Sequence, residues 1–426
     1  MRLLIADKLH PRAVEELSAL PIEVVYEPDL TKESLEQKIA NVGVLVVRST
    51  EVTAAALERA KTLHLIVRAG AQYQTIDVRA ASRRGIYVAN CPGKNAAAVA
   101  ELVMGLLIAI DRRIVDSVTS LRDGRWRRAE YSKAEGLLGK TIGIAGMGAV
   151  GREVAHRAKA FGLSVIGYSR SLNAMRAADL GIMHATSLEE LASKSHILTL
   201  HLPINARTRR IVGKRVFAAL PPRAIFINAA RADLVDQAAM REAVATRGLR
   251  VGLDVYPDEP RTADEYPSDL FSPPPQSGVG FSEPRDAALE GPWSPGDHEG
   301  FVYGTPHIAA ATDQAQLAVA TETVRVIRSF LLEGHVPNVV NVTTSIANFQ
   351  VVIRMQDKIG TFANVLSVLK RHGINVEEVT NSVFEGGGAS CAKLRVVSRP
   401  SEMCLQEIRA FDEVLHVDVV TLPNLA

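Results

Sequence analysis

One stretch constrains the fold of this chain more than any other. Gly146-Met147-Gly148-Ala149-Val150-Gly151 follows Thr141-Ile142-Gly143-Ile144-Ala145, a short apolar run rich in β-branched residues. Such a run reads as a buried strand. Behind the glycines, Val154, Ala155, Ala158 and Phe161 are spaced for one face of a helix, and a second strand-like run, Ser164 to Tyr168, follows. Strand, glycine turn, helix and strand form the dinucleotide-binding fingerprint. The first glycine permits the turn, the second lets a pyrophosphate approach the backbone, and the third lets helix and strand pack closely. Free N–H groups and the positive dipole end at the helix start hold the phosphates. Gly146, Met147, Gly148, Ala149, Val150 and Gly151 are therefore candidate cofactor-binding residues.

The fingerprint usually ends in an acid that bonds the ribose hydroxyls. Here Tyr168 is followed by Ser169-Arg170-Ser171. A carboxylate repels a 2′-phosphate, whereas an arginine with small hydroxyls accommodates one, so Ser169 and Arg170 leave both NAD and NADP open. Bulk properties remove other classes. The formal charge is +2 with no basic block, which gives no indication of nucleic acid. Cys91, Cys391 and Cys404 are far apart and form no CxxC, pointing to free thiols, a reducing compartment and no zinc or other metal site. The longest near-apolar stretch, Ala96 to Ile110, contains Glu101 and is short for a membrane span. A cytoplasmic protein without a membrane partner is expected.

Residues 1–95 alternate apolar strand-like runs (Leu3–Ala6, Ile22–Tyr26, Val42–Val47, Leu63–Val67, Ile86–Ala89) with helix-like stretches. That pattern predicts a doubly wound parallel sheet without a glycine fingerprint. A long helix is predicted from Asn95 to about Asp123. The second α/β unit has strands Thr141–Ala145, Ser164–Tyr168, Ile197–His201, Ala224–Asn228 and Val251–Val255. Ten of the 20 prolines then fall between Pro257 and Pro306, and residues 261–302 read as an irregular surface excursion. The helix Gln314–Glu333 is expected to return to the first sheet. From about Asn348 a β-α-β-β-α-β pattern spells a small ferredoxin-like module. The expected α/β organisation is a flavodoxin-like substrate domain (1–95 and 310–345), a Rossmann domain (96–309) and a ferredoxin-like domain (349–426).

Three polar groups follow strands of the fingerprint unit, where ligands bind in such folds. These are Arg231 in Asn228-Ala229-Ala230-Arg231, Glu259 in Asp254-Val255-Tyr256-Pro257-Asp258-Glu259, and His307 in Thr305-Pro306-His307. Hydride transfer between an alcohol and a ketone needs a group that takes or gives the hydroxyl proton, and His suits neutral pH. A carboxylate beside it fixes its orientation. An arginine holds a substrate carboxylate by a bidentate contact.

Together with Leu200-His201-Leu202-Pro203, these motifs resemble the D-isomer-specific 2-hydroxyacid dehydrogenases over residues 1–345. The resemblance implies His307 as acid/base, Glu259 as its partner and Arg231 as carboxylate anchor. It places His201, Pro203, Thr208, Ala229 and Asp254 around the cofactor. It also places Arg48, Ser49, Arg68, Gly70, Ala71 and Gln72 around the substrate, where Arg48 and Arg68 together suit a phosphate dianion. A small phosphorylated 2-hydroxy acid is the implied substrate, with an NADPH-dependent hydroxypyruvate or glyoxylate reductase as the alternative. A catalytically silent, dinucleotide-sensing interaction protein is the rival of another class. Asp357-Lys358-Ile359-Gly360 and Gly373-Ile374-Asn375-Val376 resemble an ACT module, a regulatory unit implying an amino-acid effector. Relatives with this fold associate through the cofactor domain, so a homodimer or homotetramer is expected. Gln72 stands where the family's substrate loop usually has glycine, and Ala309 replaces the glycine usual after the His-Ile pair. Glu283-Pro284 offers a second Glu-Pro inside the excursion.

Overall fold

The short apolar runs of the first 95 residues become five parallel strands: β1 (Arg2–Ile5), β2 (Glu23–Tyr26), β3 (Val44–Val47), β4 (Leu65–Arg68) and β5 (Tyr87–Asn90). Their order is β2-β1-β3-β4-β5, the flavodoxin-like winding. Val44 to Val47 are buried without alternation, as a strand covered on both faces requires. The covering layer on one face includes the helix Asp313–Glu333, whose Ala320, Val324 and Ile327 pack with Leu3, Ile5, Val46 and Val67. This computed structural model describes residues 1–260, 300–343 and 347–422.

The second sheet contains β6 (Thr141–Ala145), β7 (Ser164–Tyr168), β8 (Met183–His184), β9 (Ile197–Leu200), β10 (Ile225–Asn228), β11 (Arg250–Leu253) and β12 (Phe301–Gly304). The order β12-β11-β10-β9-β6-β7-β8 is all parallel, with the switch of direction between β6 and β9. A doubly wound sheet binds ligands at such a switch. The helix Ala96–Arg112 packs Val99, Val103, Leu107 and Ile110 against Ile142, Ile144, Ile225 and Ile227.

Two expectations are corrected here. The predicted helix 95–123 is broken at Arg113, which adopts a left-handed conformation (φ 49°), so that Ile114–Arg122 forms a separate helix. Ion pairs reward the break: the Arg113 guanidinium lies 2.9 Å from Asp116 and 3.3 Å from Glu130, and stacks 5.1 Å from the Tyr131 ring centroid. The predicted excursion 261–302 ends early, because Phe301 and Val302 belong to β12, in register with Arg250 and Val251. The rest of that stretch, including Glu283, lies outside the described residues.

Contacts divide the chain into two units, Met1–Asn341 and Val342–Ala426. The second has four antiparallel strands, β13 (Phe349–Gln356), β14 (Val376–Val383), β15 (Ala389–Val396) and β16 (Val414–Thr421), ordered β14-β15-β13-β16. Every second residue of β13, Val351, Ile353 and Met355, faces the core under Val365, Leu369 and Ile408 of two helices. This is the ferredoxin-like topology expected from the sequence. Among the described residues no helix is long and apolar enough to cross a membrane.

Candidate active site

Parallel strands end on the same side, so the loops that follow them converge. A cleft of about 400 Å³ collects Arg48 after β3, Arg68 at the end of β4, Gly70, Ala71 and Gln72 beyond it, and Val150 of the glycine turn's helix. His201 and Pro203 after β9, Ala229 and Arg231 after β10, Asp254 after β11, and His307 and Ala309 after β12 complete it. Ser49, Thr208, Glu259, the tip of β7 and the glycine residues of the fingerprint are not in its lining.

The glycine turn is built to receive a dinucleotide. Gly146 has φ +105°, and a Cβ there would stand 2.4 Å from the His201 carbonyl oxygen. A Cβ on Gly151 would stand 2.0 Å from the Gly146 carbonyl oxygen, which fixes the close helix–strand approach. Gly148, in contrast, faces open space. Backbone is thus bare on the side where a pyrophosphate would lie, at the N-terminus of the helix Ala149–Ala160. Met147 turns its side chain into the core and contributes backbone alone to that surface. The residues fit the group.

At the tip of β7, Ser169 Oγ accepts from the Ser171 N–H at 3.3 Å, and Arg170 is exposed. The His201 ring contacts Thr199 Oγ1 at 3.0 Å, and burial pushes its pKa down to about 3, so it is neutral at physiological pH. Thr208 Oγ donates to the Pro203 carbonyl at 2.7 Å and closes the turn that presents Pro203.

His307 and Glu259 meet, with Nδ1 2.5 Å from Oε2. The other Glu259 oxygen accepts the Tyr256 N–H at 2.8 Å. Both groups are delivered by left-handed residues, Asp258 (φ 53°) and His307 itself (φ 53°). Such conformations are sparsely populated for non-glycine residues and persist where the surroundings over-determine them. The restraint here is Asp254, a fully buried carboxylate. Its Oδ1 accepts from Thr305 Oγ1 (2.7 Å) and the Ile308 N–H (2.8 Å), and its Oδ2 from the Ala309 N–H (2.9 Å). Tyr256 adds a bond from its hydroxyl to the Thr305 carbonyl at 3.1 Å. Asp254 therefore faces the histidine loop with both oxygens.

Three arginines approach one another across the cleft. Arg68 has its pKa lowered by burial first, then by the charges of Arg48 and Arg231. Its Nε is buried without a hydrogen-bond partner. Arg231 is likewise lowered by burial, against the pull of Glu259. One Arg231 nitrogen donates to the Ala230 carbonyl at 2.6 Å, and the other contacts the Gln72 side-chain oxygen. Gln72 thus meets Arg231 directly across the cleft.

Sequence reasoning missed three supporting groups. Asp7, at the end of β1, accepts the Arg48, Ser49 and Thr50 N–H groups at 2.7, 3.1 and 3.0 Å and the Ser49 hydroxyl at 2.6 Å. It fixes the loop that presents Arg48 and commits the Ser49 hydroxyl. Asn90, ending β5, donates to the Ala71 carbonyl at 2.6 Å and steadies the loop that bears Gln72. Tyr256 is the third. The available signal was position, since Asp7 and Asn90 each stand at the carboxyl end of a strand.

Comparison with known proteins accords with this geometry. Residues 104–274 match the D-isomer specific 2-hydroxyacid dehydrogenase, NAD binding domain. The chain is 36% identical to hydroxypyruvate reductase of Thermotoga maritima, covering 76% of this chain and 97% of that protein. It is also 36% identical to D-3-phosphoglycerate dehydrogenase of Methanocaldococcus jannaschii, over 80% of this chain and 59% of the relative. A crystal structure from Thermus thermophilus superposes with a TM-score of 0.64 at 30% identity, covering 80% of this chain and all of that one. The chain belongs to the D-isomer specific 2-hydroxyacid dehydrogenases. It spans about three fifths of the length of the phosphoglycerate dehydrogenases it matches.

Proposed function

We propose that the chain oxidises 3-phospho-D-glycerate to 3-phosphohydroxypyruvate, the entry to serine synthesis, as a D-3-phosphoglycerate dehydrogenase. The observation that carries this reading is the convergence of Arg48, Arg68 and Arg231, with the buried Arg68 Nε unpartnered. Three cations in one half-buried cleft repel unless anions join them. A carboxylate and a phosphate dianion on one three-carbon substrate supply that charge, and Arg is the side chain suited to both. The D-3-phosphoglycerate dehydrogenase relatives support the same substrate.

Arg231 holds the carboxylate, and Arg48 and Arg68 hold the phosphate. This orients the C2 hydroxyl toward His307. With Nδ1–H donated to Glu259, Nε2 of the neutral imidazole takes the hydroxyl proton. Glu259 stabilises the resulting imidazolium. A bound nicotinamide dinucleotide supplies the hydride acceptor. Ser169 and Arg170, with no carboxylate at the tip of β7, favour use of both NAD and NADP.

The second reading, reduction of hydroxypyruvate or glyoxylate with NADPH, is favoured by the Thermotoga maritima relative and by Arg170. Steady-state assays with each substrate and cofactor pair separate the two. Preference for the phosphorylated substrate, lost in Arg48→Ala and Arg68→Ala, supports the first, and preference for the small keto acids refutes it. Cofactor binding with no turnover on any substrate would favour the silent rival.

The second unit is an ACT-like regulatory module for an amino acid. Ile114, Val115, Val118 and Leu121 leave an apolar face exposed on the short helix after the Arg113 break. A second copy of the chain covers it in the homodimer or homotetramer proposed here.

A further inference from the structure

The contact between Gln72 and Arg231 joins residues 159 positions apart, from loops of different sheets. Gln72 has little freedom to stand elsewhere. Its loop is pinned on both preceding residues, by the Cys91 N–H to the Gly70 carbonyl (3.0 Å) and by Asn90 to the Ala71 carbonyl. Arg231 is equally restricted, since its second terminal nitrogen is held by the Ala230 carbonyl. The amide oxygen of Gln72 therefore takes the nitrogen that a substrate carboxylate would use.

We propose that Gln72 acts as a displaceable internal substitute for the substrate carboxylate on Arg231 and thereby sets how tightly that site binds carboxylates. This deepens the functional reading above, because it rests on Arg231 as the carboxylate anchor. The exchange runs in the direction chemistry favours. An amide oxygen is a neutral acceptor, and a carboxylate is a charged, bidentate one that binds a guanidinium more strongly. The displaced contact is nevertheless lost on binding any carboxylate, so every such ligand is weakened alike, and those without a second anionic group are left the most weakly held. A substrate that is also held at Arg48 and Arg68 tolerates that loss. Gln72 acts through Arg231 and touches no reacting atom, so its influence falls on KM and leaves kcat in place.

The test uses the full chain with NADH and two probes, oxalate for the carboxylate anchor and inorganic phosphate for the Arg48/Arg68 pair. In Gln72→Ala, oxalate affinity is expected to rise about tenfold, the worth of one hydrogen bond to a charged group, with phosphate affinity unchanged. KM for hydroxypyruvate should fall with kcat unchanged. Gln72→Glu places a charged acceptor on Arg231, keeps the size of the side chain, and should move oxalate affinity the other way. Unchanged or weakened oxalate binding in Gln72→Ala, or tightened binding in Gln72→Glu, overturns the proposal. Arg231→Gln separates the two layers of the argument. Loss of oxalate binding there, with no effect of either Gln72 variant, refutes the substitute role and leaves the anchor standing. Retained oxalate binding refutes the anchor and the proposal with it.

Discussion

Asp254→Asn isolates what holds the His307 loop in place. The carboxylate is fully buried and takes three bonds from residues 305–309, two of them from backbone N–H groups at 2.8 and 2.9 Å. An asparagine keeps the shape but has one acceptor atom fewer. Whichever way its amide is turned, an NH2 faces either the Ala309 N–H or the Ile308 N–H. A buried N–H left without an acceptor costs about 1–3 kcal/mol, and the remaining bonds lose their charge assistance, so about 2–4 kcal/mol is expected in total. The restraint on His307 is of the same order, since holding a non-glycine residue in the left-handed region costs about 1–3 kcal/mol. Removing the clamp therefore lets other loop conformations compete, and a shift of about 2 kcal/mol lowers the ratio of competent to other loop conformations roughly thirtyfold, which reduces kcat to the extent that those conformations become populated. Urea denaturation measures the first effect and steady-state kcat the second, with NADH binding by fluorescence as a control expected to stay within about threefold, well under one hydrogen bond's worth. If kcat survives while NADH binding collapses, Asp254 serves the cofactor directly and the clamp argument fails. Full kcat with lowered stability would equally refute it.

Other sites give sharper contrasts. Gly151→Ala should prevent stable folding, because the new Cβ would meet the Gly146 carbonyl at 2.0 Å; Gly148→Ala meets nothing in the protein and should keep its melting temperature while losing about tenfold or more in NADH affinity. Circular dichroism and fluorescence titration check the pair. Arg68→Gln should raise KM for 3-phosphoglycerate at least about tenfold, the worth of a charged hydrogen bond, and leave hydroxypyruvate within about threefold. Equal losses on both substrates would count against a phosphate site. Burial lowers His201 from 6.5 to about 3, so between those values the unfolded chain binds more protons than the folded one. That contribution is complete above about pH 6.5 and declines on acidification, by no more than about 2 kcal/mol at pH 5, since His201 is only partly shielded from the cleft. A urea series from pH 7 to 5 on His201→Gln should show a shallower acid decline than the parent chain, and an identical decline would refute the assignment.

What the sequence disclosed was set by distance along the chain. The glycine turn was legible because two of its constraints are local, although the approach of Gly146 to the His201 carbonyl is not. The φ of Gly146 and the Gly151–Gly146 approach involve residues at most five apart. Arg231, Glu259 and His307 were legible for a different reason, since parallel strands deliver their following loops to one edge whatever the loops contain. The supports were hidden because they are long-range bonds from side chain to backbone. Asp7 reaches residues 41 to 43 positions away, and Asp254 reaches residues 54 and 55 positions away. No periodicity encodes such pairs. The Arg113 break was hidden as well, because a helical apolar pattern continues across it, and the left-handed turn is selected by Asp116 and Glu130.

The two sheets divide the chemistry between them. The first carries Arg48, Arg68 and the loop of Gln72; the second carries the glycine turn, Arg231 and the Glu259–His307 pair. The substrate proposed above would bond both at once, which would couple recognition of its phosphate to placement of its hydroxyl. Gln72 on Arg231 makes that cross-cleft bond within the protein itself. Arg231 is thus kept partnered within the protein, and under the proposal above the carboxylate that replaces the amide takes over a contact already oriented for it. A glycine at position 72 would leave Arg231 Nη2 without that partner, so a single side chain decides how strongly a carboxylate must compete for the anchor.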